Sequence, residues 1–379
     1  MSTWIRALVV SIVLTLILTP AAAIAADPVV ELPTLGGAHA QAEDINDLEQ
    51  IVGWSALAGG RVEATIWNAG TPSSLGRAPG TDFSFAAAIN NSGEVAGYCE
   101  FGIIPGEPGN SRTATFWGPG GVIDIGAALR FSYSIGYDIN DNGIVALKGD
   151  HPEPYQFSTG YVWSPAMGGV QAGADLLYRF GGNHGINNFN DVVGYGAAGL
   201  DGAQAILARY DGARWEVGDE IGPQAVRAPA SANAISDTGI IVGQAGDDGV
   251  HSYEAAIFTL DPRRPVIWLD TLDDFEDSNP LDVNDAGLIV GYSLRYDEYV
   301  VDLRAVVWLD EAIYDLNHLL RPNSDFRVLI SATGVNANGD VVGYGRLRNG
   351  NMRPFLIRRL GQGSSSGLFG HPGKPADLP

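Results

Sequence analysis

Five arginines stand seven to twelve residues ahead of a motif that recurs along the chain. A guanidinium group binds carboxylates and phosphates through paired hydrogen bonds, so arginines brought together in an acidic protein would attract an anionic ligand. Aromatic side chains near them could stack on sugar rings or simply fill space in the fold. The candidate ligand-binding residues are therefore Arg77, Arg130, Arg179, Arg227, Arg327, Tyr133, Tyr178 and Phe180. The alternative is that the arginines are solvated and pair with acids nearby.

Histidines and aspartates offer metal chemistry, although their spacing argues against it. Four histidines fall on predicted connections between strands, and imidazoles that converge can bind a transition metal. They lack any ligand spacing, however; they are His39, His151, His184 and His251. The segment from Asp138 to Gly143 matches half of a calcium-binding loop, but Gly149 stands where that loop needs a glutamate. The sequence predicts no metal and no other cofactor.

An acidic segment is the candidate for acid and base catalysis, with Asp270, Asp273, Asp274, Glu276 and Asp277. Two carboxyl groups can cleave a glycosidic bond when they converge and their pKa values are pushed apart. Runs of like charge are more often solvated. No catalytic residue can be assigned from the sequence, so this segment defines a test: its carboxylates must approach an arginine or a histidine at one site.

The elements that position these residues are seven copies of one motif, beginning at residues 45, 89, 139, 186, 235, 283 and 335. Its consensus, [IV]-N-[DN]-x-G-x-[IV]-V-G, describes the seven copies with few exceptions. The asparagine can accept a hydrogen bond from backbone two residues on, and the first glycine can adopt the positive φ of a hairpin turn. Glu49 replaces that glycine in the first copy, which should make this hairpin the least regular. The closing glycine indicates a bulge or the close approach of another backbone.

Each copy continues with a second apolar strand that usually ends at an aromatic residue, and then with a short fourth strand. Four strands in each unit of about 48 residues, repeated seven times, predict an all-β, seven-bladed β-propeller. The segment Val29–Gly37 looks like a fourth strand without its first three, and the seventh copy stops after its third. Pairing these ends would close the last blade and remove two exposed edges.

The repeats resemble the HAF repeat family of probable extracellular repeat proteins, whose units combine an IN-x-x-G-x-VVG hairpin, a strand ending in Trp and a DLGTLGG strand. The likeness covers roughly residues 28 to 360, and Leu32–Gly37 matches the last segment. The His-Ala-Phe tripeptide itself does not occur in this chain. The resemblance implies a propeller-like scaffold and carries over no catalytic residues.

The two ends of the chain have compositions of their own. Arg6, an apolar run from Ala7 to Leu18 and the cleavage-like sequence Ala23–Ala25 are typical of a bacterial secretory signal. The predicted organisation is a signal peptide over 1–25, the propeller over 26–360 and a disordered Gly-, Ser- and Pro-rich tail over 361–379. The mature protein is expected to be secreted or periplasmic.

The formal net charge of −22 argues against a nucleic-acid partner, which needs a basic surface, and no segment is long and apolar enough for membrane insertion. The sequence therefore predicts an exported, monomeric, non-catalytic binding propeller whose variable loops face an anionic glycan or another surface component, including a surface protein. The alternative is a glycoside hydrolase or lyase of the propeller type acting at the mouth of the channel. A purely structural protein would have no concave polar pocket.

Overall fold

The chain forms a closed ring of sheets. The computed structural model describes residues 28–102, 111–150, 158–172, 180–197, 203–216, 219–222, 229–246, 253–261, 265–297, 300–310 and 312–360. They form seven four-stranded antiparallel sheets. Each innermost strand contacts the innermost strands of both neighbouring sheets, and the last contacts the first, so the sheets surround a central channel. The predicted seven-bladed propeller is confirmed. The predicted signal peptide and tail lie outside the described residues.

In chain order the strands are β1 (Val29–Glu31), β2 (Gly36–Ile45), β3 (Ile51–Leu57), β4 (Val62–Asn68), β5 (Thr71–Gly76), β6 (Phe83–Ile89), β7 (Val95–Phe101), β8 (Ser111–Gly118), β9 (Gly121–Asp124), β10 (Tyr133–Ile139), β11 (Val145–Asp150), β12 (Ser158–Ser164), β13 (Gly168–Gln171), β14 (Phe180–Ile186), β15 (Val192–Ala197), β16 (Gln204–Ala208), β17 (Asp219–Glu220), β18 (Ala230–Ile235), β19 (Ile241–Gly246), β20 (Tyr253–Phe258), β21 (Val266–Trp268), β22 (Asp277–Val283), β23 (Ile289–Asp297), β24 (Val300–Leu309), β25 (Ala312–Asp315), β26 (Phe326–Val335), β27 (Val341–Leu347) and β28 (Met352–Ile357). Blades 1 to 6 take consecutive strands from β2 to β25. A short helix, α1 (Ile125–Leu129), follows blade 2, and a 3-10 turn (Leu316–Leu319) follows blade 6. Within the described residues, neither helical segment is long and apolar enough to cross a bilayer.

Blade 7 is completed by the N-terminal strand, as predicted. Its strand order is β1-β28-β27-β26, and β1 pairs with β28 in antiparallel register, Val29 opposite Ile357 and Glu31 opposite Phe355. The guanidinium of Arg353 lies 3.2 Å from the carboxylate of Glu31 and adds an ion pair to the seam. The first and last described strands of the chain therefore share one sheet.

The repeated turns have the geometry that the motif predicts. In the first turn the side-chain oxygen of Asn46 accepts hydrogen bonds from the backbone N–H groups of Leu48 (3.1 Å) and Gln50 (2.9 Å). The expectation that this hairpin is the least regular is wrong, since the same backbone bonds close all seven. Glu49 adopts the required φ of 59° itself, and its carboxylate pairs with Arg358.

The turns also bond to one another around the ring. The side-chain amide of Asn46 donates to the backbone carbonyl of Asn90 in the next blade (2.9 Å), and Asn336 of blade 7 donates to Asn46 (3.0 Å). Six of the seven junctions between blades contain this bond. At the seventh, blade 5 has Ser236 in place of asparagine, and the N–H of Thr238 donates to Asp285 instead. The motif thus specifies the junctions between blades as well as the turns.

The hydrophobic core lies in layers between adjacent blades. Trp67, at the end of β4, is fully buried against Leu32 and Val342 of the neighbouring seam, and its indole N–H donates to the carbonyl of Pro33 (2.7 Å). Because a buried indole N–H needs an acceptor, the tryptophan at this position fixes the spacing of the blades as well as filling it.

Candidate functional site

Every innermost strand carries a β-bulge just before its motif, and the bulge residues line one cavity. The pairing of first and second strands skips one residue in each blade. A bulge leaves its extra residue unpaired and redirects the side chain. The seven bulge residues are Glu43, Ala87, Tyr137, His184, Asn233, Leu281 and Thr333. They surround a cavity of about 610 Å³ in the channel. We call it the loop-end cavity, because it lies upstream of the turns, toward the connections between blades.

The second strands of blades 1 and 2 add an aromatic wall to the loop-end cavity. The rings of Phe85 and Tyr98 are stacked with centroids 5.0 Å apart, and Trp54 meets Phe85 edge-on at 6.2 Å. The indole N–H of Trp54 donates to the side-chain oxygen of Gln41, 3.2 Å away. The wall combines aromatic rings with a polar group, which suits a ligand that has both apolar and hydrogen-bonding faces.

Arg112 stands beside this wall with its charge already balanced. Its guanidinium lies 4.8 Å from the centre of the Tyr98 ring, and its Nε donates to the fully buried carboxylate of Glu100 (2.9 Å). Burial raises the pKa of the Tyr98 hydroxyl above its usual value, so this tyrosine is uncharged near neutrality. The stack from Phe85 to Arg112 is therefore a preformed wall of the cavity.

Glu43 is an unpaired acid in the wall of the loop-end cavity. Its side chain is half-buried, and among the described residues no cation or hydrogen-bond donor is paired with its carboxylate. Burial alone raises the pKa of Glu43 to about 8. At neutral pH this carboxyl group is protonated in most of the protein molecules. It can give its proton to an acceptor or, once ionised, pair with a cation.

His184 lines the same cavity from blade 4. It lies between the rings of Tyr137 and Tyr195, with centroids 4.6 and 5.2 Å away. Burial and, to a smaller extent, the charge of Lys148 lower the pKa of His184 to about 4, so its imidazole is neutral at pH 7. The prediction that His184 lies on a connecting loop is wrong, since it is the bulge residue of β14. His39, also predicted on a connection, lies within β2.

The other end of the channel, among the seven turns, holds a smaller cavity of about 200 Å³ that we call the turn-end cavity. Asp44, Asp138 and Asp282 stand immediately before the motif in blades 1, 3 and 6. Each carboxylate accepts a backbone N–H from its own motif and another from the next blade, 2.6 to 2.8 Å away. Burial, the largest influence, raises the pKa of all three, that of Asp138 to about 7.

These contacts account for the calcium-like sequence at Asp138, whose carboxylate joins two blades. Within the described residues, no three His, Cys, Asp or Glu side chains are grouped to hold a metal ion.

The three predicted arginines that the structure describes do not line the loop-end cavity. Arg77 donates to the carbonyl of Thr81 (2.7 Å) and pairs with Glu63 (3.4 Å). Arg130 is exposed and ends α1 with a left-handed φ of 60°, and Arg327 is exposed on β26. None of these three lines the cavity. Arg179 and Arg227 lie outside the described residues, so a ring of five arginines stays a prediction.

Two of the three predicted aromatic residues lie within the described part of the chain, each at the start of a strand. Tyr133 begins β10 and is half-buried, with the ammonium of Lys148 6.0 Å from its ring centre. Phe180 begins β14, and Tyr178 lies outside the described residues. Phe326, at the start of β26, packs against Phe355 with ring centroids 6.3 Å apart.

The acidic segment does not converge on a site. Asp273 and Asp274 are exposed, and the exposed Glu276 accepts a hydrogen bond from the backbone N–H of Tyr296 (2.9 Å). Asp277 is buried and accepts one from the backbone N–H of Tyr253 (3.1 Å). None of these carboxylates lines either channel cavity, so this segment supplies no catalytic pair there.

Apart from His184, which was considered only for metal binding, sequence reasoning missed the residues that line the loop-end cavity. One signal was present: the residue directly after the closing glycine of the motif is aromatic in five copies, Trp54, Tyr98, Tyr195, Tyr292 and Tyr344. The bulge residues left no such signal, because they differ in every copy.

Fold and cavity together define a seven-bladed β-propeller with a lined chamber in its channel. No known family matches the sequence, and no curated protein does either. Among solved structures the chain is similar to the β-propeller domain of the Trilobed protease from Pyrococcus furiosus, with 12% identity over 84% of this chain and 93% of that one, at a TM-score of 0.48.

Two other solved structures are similar at the level of the fold. Puromycin hydrolase is 10% identical at a TM-score of 0.49, and the alignment covers 86% of this chain but only 55% of the hydrolase. The SapL1 lectin in complex with alpha methyl fucoside is 15% identical, with coverage of 74% and 97% and a TM-score of 0.40. At such identities the likeness extends to the propeller fold alone.

Proposed function

We propose that the protein is a non-catalytic binding propeller whose ligand occupies the loop-end cavity. The observation that carries this proposal is a contrast: the turns are constant, but the bulge residues that line one chamber vary, in size from Ala87 to Tyr137. A volume of about 610 Å³ lies within the range of small-molecule sites, and few polar groups among aromatic faces are typical of such sites. A purely structural propeller would not need this chamber.

The ligand we propose is a glycan or another surface component met after export. The signal-like N-terminus supports export, and the repeats support membership of the HAF repeat family. The ring of Trp54 in the cavity lining supports sugar binding, since sugar rings stack on aromatic faces. An anionic glycan would depend on the loop arginines, and the local pairing of Arg77 with Glu63 weakens that version of the proposal.

A variant that fills the chamber tests the proposal without removing any interaction. Ala87→Trp adds a large ring at the smallest bulge position, whereas Leu48→Trp places the same ring on an exposed turn at the other end of the channel. The mature protein and both variants would be screened on a glycan array. We expect Ala87→Trp to weaken every specific interaction about tenfold or more and Leu48→Trp to weaken none. Equal binding by all three proteins would refute the proposal.

The alternative, a glycoside hydrolase or lyase, has one observation in its favour. Glu43 and His184 line the same cavity, and burial moves their pKa values in opposite directions, to about 8 and about 4. Such a pair can supply a proton donor and a proton acceptor.

Incubating the array ligands with the protein and following their mass separates the two functions. Intact ligands support the binding propeller. Cleavage that falls about 100-fold or more in Glu43→Gln supports the enzyme.

A further inference from the structure

We infer that the loop-end cavity recognises a protonated amine on its ligand, held by the carboxylate of Glu43 beside the aromatic wall of Trp54, Phe85 and Tyr98. The inference rests on the proposed function and names the chemistry of the ligand. The arginines suggest an anionic glycan, whereas Glu43 favours a ligand with a positive charge.

The first argument is the missing partner of Glu43. Other acids next to the channel have partners: Glu100 pairs with Arg112, and Asp138 accepts two backbone N–H groups. Among the described residues Glu43 alone reaches the lumen of the loop-end cavity as a carboxyl group without a donor. Ionising an unpaired, half-buried acid costs free energy that a cationic ligand would recover, because the ion pair favours the charged carboxylate.

The second argument is the charge balance of the cavity. Arg112 is neutralised by Glu100 at 2.9 Å, and His184 is uncharged at neutral pH because its pKa is lowered to about 4. Ionised Glu43 therefore leaves the lining with a surplus of one negative charge. The net charge of −22 on the whole chain adds an attraction for cations over longer distances.

The third argument is the aromatic wall. An ammonium group is attracted to the faces of tryptophan and tyrosine rings, and the hydrophobic side of a sugar ring stacks on the same faces. Trp54, which is half-buried and lines the cavity together with Glu43, offers such a ring. The faces of Tyr98, in contrast, are already occupied by Phe85 and by Arg112. A sugar that carries an amino group satisfies the wall and Glu43 together, so the class of ligand is an amino sugar.

Three disaccharides with different charges form the test, with binding measured by calorimetry. The glucosamine disaccharide carries amines, the N-acetylglucosamine disaccharide is its neutral counterpart, and the galacturonic acid disaccharide is anionic. The wild-type protein should prefer the amine form about tenfold or more over the other two. Glu43→Gln should lose that preference, and the exposed control Glu254→Gln should keep it.

A second readout does not depend on a variant. Near pH 6 an amine that binds the Glu43 carboxylate must displace the proton held there, so up to about one proton per ligand should be released. Of the other titratable groups that face Glu43, Tyr98 and Tyr344 stay neutral because burial raises their pKa, and Arg112 stays paired. Calorimetry in two buffers of different ionisation enthalpy measures this release.

The outcomes separate the inference from the proposed function. Failure of the folded wild-type protein to prefer the amine disaccharide, or an equal preference in Glu43→Gln, overturns the inference. If another disaccharide then binds and Ala87→Trp abolishes that binding, the proposed function survives. If Ala87→Trp leaves all binding unchanged, the loop-end cavity is not the site and both fail.

Discussion

At the scale of single residues, the glycine that closes each motif is required by a close approach between two strands. A Cβ on Gly291 would lie 2.0 Å from the carbonyl oxygen of Asn279 on the innermost strand, and the same collision recurs in five other blades. Blade 3 is the exception, with Leu147 in place of the glycine. Leu147 lies opposite Gly136, so in blade 3 the residue without a side chain is on the innermost strand. The requirement for a small residue belongs to the pair of strands.

Gly291→Ala tests this account. We expect a loss of about 1–3 kcal/mol in the free energy of unfolding, because the added methyl group forces two paired strands apart. Gly59→Ala is the matched control, since a Cβ there meets nothing within 4 Å, and its effect should stay within about 0.5 kcal/mol. Urea unfolding of the three proteins measures both changes. A Gly291→Ala variant as stable as its control would show that the strands yield without cost.

At the scale of the structural elements, three blades reach into the next through an aspartate before the motif. Asp138 accepts the backbone N–H groups of Ile139 (2.7 Å) and of Ile186 in the following blade (2.8 Å). Four other blades have alanine or glycine at this position. The asparagine bonds between turns are present at almost every junction, so the aspartates reinforce a ring that is already joined.

These aspartates should make stability depend on pH. Burial raises the pKa of Asp138 from its ordinary 3.8 to about 7 in the folded protein, so between these values the folded state holds a proton that the unfolded chain has lost. Its contribution to stability is full below the unfolded pKa and is lost as the pH rises through about 7, by at most about 1.4 kcal/mol per pH unit. Asp44 and Asp282 shift in the same direction.

The variant Asp138→Asn removes one of these titrations. Compared by urea unfolding at several values between about pH 4 and pH 8, the wild-type protein should gain stability over the variant as the pH falls. Profiles that run parallel over the whole range would contradict the proton linkage at Asp138.

At the scale of the whole molecule, the fold was predictable from sequence because each repeat contains the residues that form its own turn and strands. Asn46 specifies its turn through its side-chain oxygen and Gly93 through its positive φ, and the count of repeats and the complementary ends specify closure. The lining of the loop-end cavity was not predictable. Whether Glu43 or His184 faces the channel depends on a one-residue bulge in strand pairing, and neighbouring bulge residues come from segments more than 40 residues apart. Arg77, Arg130 and Arg327, which sequence spacing aligned, do not line this cavity, and a ring of all five arginines stays a prediction.

Closure of the ring is the property of the whole molecule that a single strand controls. In β1, Val29 is buried in the core of blade 7, while Val30 next to it points outward with 37% of its surface exposed. Val29→Asp would bury an unpaired carboxyl group at the seam, so we expect it to lower the free energy of unfolding by about 3 kcal/mol or more. Val30→Asp places the same charge on the outer face and should change stability by less than about 0.5 kcal/mol.

Thermal unfolding of the two variants distinguishes a closing strand from a loosely attached one. If β1 holds the ring shut, Val29→Asp unfolds at a lower temperature in a single transition, because an open seam exposes strand edges on both sides and every blade depends on its two neighbours. If β1 does not contribute to closure, Val29→Asp unfolds at the same temperature as Val30→Asp. The ring is then held by the bonds between its turns alone.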